Sequence, residues 1–433
     1  MNPYEVTIIL MTSFILLVLL RVPVSFALGL AAIPVLLLSE HLGIILLFTE
    51  MFRAYNSFLL LAVPFFLLAA NLMNAAGITD KLMDFARSMV GHIPGGLGHV
   101  NITVSMLFAG ISGSSTADSA GIGALMIPAM KKEGYDTNIA VAVTSCSSVM
   151  GVIIPPSVLM IIWGGVMSVS IGGLFLAGVI PGFAIGLSMM IAMYIYAKKR
   201  NYPKYPRANL KEFFSSLWKS SFAMLTPVII VWGIAGGFFT PTEASFIAVV
   251  YSLLVGLIVY RTLSFSQIPG IFYESARFAA IALFAVGTAS AFAFVLAYYQ
   301  IPTTIVASFK DLGFGFITTG FIIAISFLII GMFIDAIPAI IILGTVLWPV
   351  AEAVGFHPIH FAIIGVVSLA FGLVTPPYGL CLLISCAIGE IKVRDALKDV
   401  MLLLFPMLII LVLIILFPKV ILFLPELFMP GFI

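Results

Sequence analysis

Charge is scarce in this chain. Asp, Glu, Lys and Arg together make up 9% of its residues, against about 25% in soluble domains. That excludes a water-facing surface of mixed charge over most of the molecule. Cysteine is scarcer still, with three residues, Cys146, Cys381 and Cys386, all inside apolar segments. Neither a disulfide framework nor a cysteine metal site is implied, and packing is their expected role. No GxxxxGK[ST] loop occurs, which points away from ATP drive within this chain. The short alternating segments of a membrane barrel are missing as well. The N-terminus lacks a basic leader region and a small-residue cleavage site, so Glu5–Leu20 reads as an uncleaved span. No Ser/His set lies at membrane depth, so an intramembrane enzyme is disfavoured. The net charge of +2 names no partner.

What is present is apolar: 62% of the residues. The long runs suit membrane helices of about 20 residues. Ten spans are expected, at 5–20, 22–38, 57–77, 137–168, 174–197, 222–237, 242–260, 278–298, 358–389 and 397–418. The basic loop "KKRNYPKYPR", 198–207, belongs on the cytoplasmic side, where Lys and Arg accumulate. With that anchor, all but Arg53, Lys310 and Lys419 of the 20 basic residues fall inside. The agreement requires that 97–130 and 316–349 each enter and leave on one side. Both termini then lie in the periplasm. Two mixed segments, 79–92 and 211–222, read either as helices lying at the interface or as polar linkers.

One stretch does not suit lipid. "AGISGSSTADSAGIG", 109–123, is small, polar and acidic within apolar surroundings. A shift of 221 residues explains it. Gly110 falls on Gly331, Pro128 on Pro349, Gly134 on Gly355 and Gly151 on Gly372, and Pro155 and Pro156 fall on Pro376 and Pro377. Five spans precede the basic linker and five follow, so the second half sits upside down. Inverted repeats of this kind mark secondary transporters. The first repeat is expected over 1–200, a basic linker with an amphipathic segment over 201–221, and the second repeat over 222–433. Each holds a re-entrant hairpin, 97–130 or 316–349, with tips at "SGSS", 112–115, and "GMFID", 331–335. Each also holds a helix, 137–168 or 358–389, broken at "GVIIPPS" or "GLVTPPYG". Proline removes an N–H and breaks the helix, and freed backbone groups persist at membrane depth only where they line a cavity or an ion. Ser112, Ser114, Ser115 and Thr116 offer hydroxyls to a hard cation, and helix N-termini offer positive ends to a carboxylate. The alternative is close helix packing by small residues.

These residues carry a family resemblance. "GISGSSTADSAGIG…MIPAMKKEGYD", "GVIIPPS…MIIWG", "FTPTEA" at 239–244 and "GLVTPPYG" resemble the large membrane subunit, DctM type, of TRAP (tripartite ATP-independent periplasmic) transporters. The resemblance spans essentially the whole chain. It implies an all-α polytopic fold, an elevator mechanism with a fixed scaffold and a moving transport domain, and Na⁺ coupling without an organic cofactor. It implies two partners, a small membrane subunit on a separate chain and a periplasmic binding protein. The substrate implied is a carboxylate such as sialic acid or a C4-dicarboxylate, imported across the bacterial inner membrane. By motif, the Na⁺ ligands carried over are Ser112, Ser114 and Gly151 in the first half, and Asp335, Gly372 and Thr375 in the second. The substrate-facing candidates are Ser115, Thr116, Asp118, Ser148, Pro155, Pro156, Pro376 and Pro377.

Several residues keep two readings. Asp335 is either an ion ligand, the default for an acid at membrane depth, or a cap at the hairpin turn. Asp118 either complements a helix dipole or contacts ion or substrate; of the two acids, Asp335 is expected to matter more. Ser145 and Ser148 either face substrate or bond back to helix carbonyls. Glu243 reads as a cap. His357 and His360 lack a third ligand, so no metal other than Na⁺ is expected. The rival functions are an ion-coupled carboxylate transporter that needs no binding protein, and a channel.

Overall fold

The computed structural model describes residues 2–432. Positions 1 and 433, the outer limits of the two expected repeats, lie outside the described residues, as does the side chain of Lys310. The chain is all-helical. The first half runs α1 (Pro3–Leu19), α2 (Val24–Leu38), α3 (Ile45–Tyr55), α4 (Ala62–Ala75), α5 (Ile78–Val90), α6 (Gly96–Ser112), α7 (Ser115–Lys132), α8 (Thr137–Ser148), α9 (Val158–Met167) and α10 (Ile171–Arg200). The second runs α11 (Leu210–Ala235), α12 (Pro241–Leu254), α13 (Ile268–Tyr298), α14 (Ile301–Asp311), α15 (Phe316–Gly331), α16 (Ala336–Ala353), α17 (Pro358–Gly372), α18 (Leu380–Gly389), α19 (Val393–Leu416) and α20 (Pro418–Phe428). No strand occurs among the described residues.

Among the described residues, seven helical segments are long and apolar enough to cross a membrane. Six match expected spans; the seventh is α16. The expected spans 5–20 and 22–38 are helices of 17 and 15 residues, about 26 and 23 Å at 1.5 Å per residue. The segment 79–92 is a separate helix, α5, whose apolar face (Ile78, Leu82, Phe85) is buried. The segment 211–222 is neither a separate interface helix nor a linker. Asn209 and Glu212 form a capping box that starts a helix continuing through Ala235, with Pro227 accommodated inside it. The boundary expected at 221/222 therefore falls inside α11. Thr240 and Glu243 form a second capping box with Pro241 at the first turn of α12, so Glu243 caps. Outside the expected spans and hairpins lie α3, α14 and α20, short helices of 11 residues each.

The 221-residue shift also relates the elements. Ser115–Lys132 falls on Ala336–Ala353 end for end, and the start of α8 falls on the start of α17. Gly134 and Gly355 end equivalent helices with φ of 85° and 86°. Both Pro–Pro bonds, 155–156 and 376–377, are cis. The packing crosses between halves in matched fashion: α7 lies on α18 and α16 on α9, while α8 lies on α19 and α10 on α17. An aromatic cluster joins them, with the Trp163 ring 5.6 Å from Phe327 and 5.5 Å from Phe361.

Candidate functional site

Two hairpin tips meet two broken helices. In the first, α6 ends at Ser112 and the chain reverses through Gly113, at φ 62°, a left-handed conformation that favours glycine. Ser114 then caps α7, its hydroxyl accepting from the Ala117 N–H. The Val158 N–H donates to the Gly113 carbonyl at 3.2 Å, so the tip is sewn to the restart of the broken helix. The Ser112 hydroxyl bonds Oδ1 of Asp118. Asp118 is 0% exposed, and its other oxygen, Oδ2, is buried with no hydrogen-bond partner. That oxygen lies against Gly151, where an added Cβ would meet it and would also stand 3.0 Å from the Ser114 carbonyl carbon.

Ser112, Ser114 and Gly151 are thus together, as expected of them, and Asp118 is with them. A buried carboxylate with one orphaned oxygen is costly while charged, and a cation, a donor or a proton relieves that cost. The donor set is hydroxyl, carbonyl and carboxylate, the hard oxygens that suit a hard cation. No group of three His, Cys, Asp or Glu side chains occurs among the described residues.

The second tip is more open. Gly331 and Gly372 pack backbone to backbone: a Cβ on Gly372 would meet the Gly331 carbonyl carbon at 2.6 Å and its Cα at 2.7 Å. The Tyr378 N–H donates to the Met332 carbonyl at 3.0 Å. Asp335 caps α16, its Oδ1 accepting from the Ala336 N–H at 2.8 Å. The residue keeps accessible surface, while its carboxyl group is crowded by protein atoms. The Thr375 hydroxyl donates back to the Phe371 carbonyl at 2.7 Å and keeps its lone pairs for another partner. Phe333 and Tyr378, flanking this junction, are 54% and 46% exposed.

Of the substrate-facing candidates, only Thr116, Pro376 and Pro377 reach accessible surface. Ser115 donates to the Val149 carbonyl at 3.3 Å. Ser148 accepts from Ser119 at 2.6 Å and donates to the Ser145 carbonyl at 2.7 Å. Pro155 and Pro156 are buried. The sequence reading missed a polar ladder behind the first tip. Asn101 donates to Thr144 at 2.7 Å, and Ser105 and Ser147 share a bond of 2.8 Å. Its signal was available: Asn101 and Ser105 lie four apart, hence on one face of a helix, opposite the "TSCSS" stripe. The Cys381 thiol, from the second half, lies against Ser119 and Ser148 of the first. His357 and His360 serve separate partners, the Ile359 N–H and the Ile414 carbonyl.

Seven apolar helices long enough to cross a membrane, with two hairpin tips set against two helix breaks, define a polytopic helical membrane protein among the described residues. Residues 11–420 match the family described as "Tripartite ATP-independent periplasmic transporter, DctM component", and the chain belongs to that family. It is 39% identical to the sialic acid TRAP transporter large permease protein SiaM of Vibrio cholerae serotype O1, over 94% of this chain and 95% of that one. It is 36% identical to the C4-dicarboxylate TRAP transporter large permease protein DctM of Pseudomonas aeruginosa, over 92% and 94% of the two chains. Its fold resembles that of the Alcanivorax borkumensis YdaH transporter, with a TM-score of 0.58 at 14% identity, covering 89% of this chain and 90% of that one. The family is one of transporter permeases, not enzymes.

Proposed function

We propose that this chain is the permease subunit of a Na⁺-coupled importer of an organic carboxylate in the bacterial inner membrane. A small membrane subunit and a periplasmic binding protein complete it. The observation that carries the ion coupling is the orphaned Oδ2 of Asp118, buried between Gly151 and the Ser114 backbone. The relatives named for sialic acid and C4-dicarboxylate support the substrate class.

The proposed cycle follows from the two tips. Na⁺ at the first junction neutralises Asp118 and draws Ser112, Ser114 and Gly151 together. A second Na⁺ takes Asp335, Thr375 and the carbonyl region of Gly372. Each ion fixes a hairpin tip against a broken helix and so aims helix N-termini at the substrate carboxylate. The two halves are inverted copies, so one tip faces each side of the membrane. The matched crossed packing of α7 on α18 and α16 on α9 lets both junctions move as one body. That body slides against a scaffold containing α1–α4 and α11–α13, in the manner of an elevator.

The test is initial uptake of labelled sialic acid or a C4-dicarboxylate into proteoliposomes holding this chain and its small subunit. Uptake is expected to rise cooperatively with Na⁺, to fail in K⁺, and to require the binding protein. A hyperbolic Na⁺ dependence, or equal uptake in K⁺, contradicts the two-ion reading. Full uptake without the binding protein makes the chain a self-sufficient transporter.

A further inference from the structure

A cavity of about 650 Å³ opens between the polar face of α5, the linker 201–209 and the first turns of α11. Five cations line it, Lys81, Arg87, Arg207, Lys211 and Lys219, against two acids, Asp84 and Glu212. Glu212 is already engaged in the Asn209 capping box. None of the five cations forms an ion pair among the described residues. Two are held in place from behind: Lys81 stands 4.6 Å over the Tyr260 ring and Arg87 stands 4.9 Å over the Tyr205 ring. The walls are fixed to each other. Ser88 of α5 and Ser216 of α11 share a hydrogen bond of 3.0 Å, and the Phe85 and Phe213 rings lie 5.8 Å apart. Uncompensated positive charge held by braced walls is a site for an anion.

The neighbouring surface narrows the anion's chemistry. Lys211, Ser215 and Lys219 lie four apart and line the cavity. One residue earlier on the same helix, Leu210, Phe214 and Trp218 form a parallel exposed stripe, with Trp218 70% exposed. The helix then continues as an apolar span to Ala235. Tryptophan and basic residues at a helix entrance mark the membrane boundary, and basic pockets there suit acidic lipid headgroups. We propose that the cavity binds the phosphodiester headgroup of an anionic phospholipid, phosphatidylglycerol or cardiolipin. Its acyl chains lie along Leu210, Phe214 and Trp218.

The site has mechanical reach. The Gly96 N–H donates to the Pro203 carbonyl at 3.2 Å and the Tyr205 N–H to the Gly91 carbonyl at 2.9 Å. The linker that walls the cavity is therefore tied to the loop from which the first hairpin starts. A lipid seated here braces the root of that hairpin against α11.

The test is native mass spectrometry of the detergent-purified chain titrated with phosphatidylglycerol, cardiolipin or phosphatidylcholine of matched acyl chains, with inorganic phosphate as competitor. Anionic lipid is expected to bind well above phosphatidylcholine. The triple variant Arg207→Gln/Lys211→Gln/Lys219→Gln is expected to weaken it roughly a hundredfold, at about 1 kcal/mol per surface cation. A control triple of exposed cations elsewhere, Lys132→Gln/Lys392→Gln/Lys398→Gln, is expected to leave binding within about threefold of the parent. Should the triple variant fold poorly, the single Lys211→Glu, a change of two unit charges, is expected to weaken binding roughly thirtyfold. Equal binding of phosphatidylcholine, or equal losses in the pocket and control variants, overturns the proposal. Displacement of lipid by equimolar inorganic phosphate also overturns it, making the cavity a site for small anions. The assay involves no transport, so its outcome is separate from that of the uptake experiment.

Discussion

The two hairpin tips share one plan and differ in finish. The first is closed: Asp118 is 0% exposed and Pro155 and Pro156 are buried behind it. The second is open: Asp335 and Pro377 are exposed, and Phe333 and Tyr378 stand beside them. The close approach differs too. At the first tip glycine makes room for a carboxylate, whereas at the second it makes room for another glycine's backbone. Two tips related by the same 221-residue offset are thus built differently, one around a buried acid and the other around a backbone contact.

The largest expected effect breaks the second tip. In Gly372→Ala the new methyl meets the Gly331 backbone at 2.6 Å and 2.7 Å, and neither helix can yield without moving the hairpin. Overpacking of this kind costs about 1–3 kcal/mol. Uptake is expected to vanish and the melting temperature to fall. Gly151→Ala meets mainly the Asp118 side chain, which has torsional freedom, so its loss of stability is expected to be smaller. Equal melting temperatures for the two variants would remove the distinction between the tips.

Next in size is the exchange of acids. Asp118→Asn keeps shape and removes the orphaned charge. The apparent Na⁺ affinity is expected to fall about ten- to hundredfold, the worth of a charge-assisted contact of roughly 1.5–3 kcal/mol. Stability without Na⁺ is expected to hold or rise, because an unpaired buried charge is gone. Asp335→Asn is expected to cost less, since one oxygen of that carboxylate is already engaged in capping α16 and the residue keeps accessible surface. This reverses the order that the sequence suggested. Na⁺-dependent thermal shifts of both variants measure it; a larger loss in Asp335→Asn would restore the original order. The smallest effect is expected from Ser119→Ala, which removes a 2.6 Å bond to Ser148. It is worth about 1 kcal/mol, and a small fall in melting temperature with uptake largely retained is expected.

The sequence disclosed those features that leave a mark on residue type. Gly and Pro at a fixed offset located both hairpins and both helix breaks, because backbone reversal and interruption admit few other residues. Six of the ten expected spans were legible from apolar length. The division at 221/222 was not, because charge density drops within α11 while the helix itself continues past Pro227 to Ala235. The short helices α3, α14 and α20 were passed over because 11 residues of mixed polarity resemble a loop. Asp118 was recognised as a candidate but not placed. Its partner Gly151 is 33 positions away, and only the folded hairpin puts that glycine against the carboxylate. The exposure that separates Asp335 from Asp118 depends on what packs over each tip, which no local pattern records.

The central claim is that the two tips are one device facing opposite sides of the membrane. Lys132 and Ala353 are repeat mates, 221 positions apart, at the ends of the two hairpins, and both are exposed. Single cysteines, Lys132→Cys and Ala353→Cys, are placed in a background with Cys146, Cys381 and Cys386 changed to Ala. A membrane-impermeant thiol reagent is applied to intact spheroplasts. The account predicts labelling at 353 from outside and at 132 only after lysis. Labelling of both positions from outside would contradict it, since the first hairpin would then cross the membrane and the halves would not be inverted.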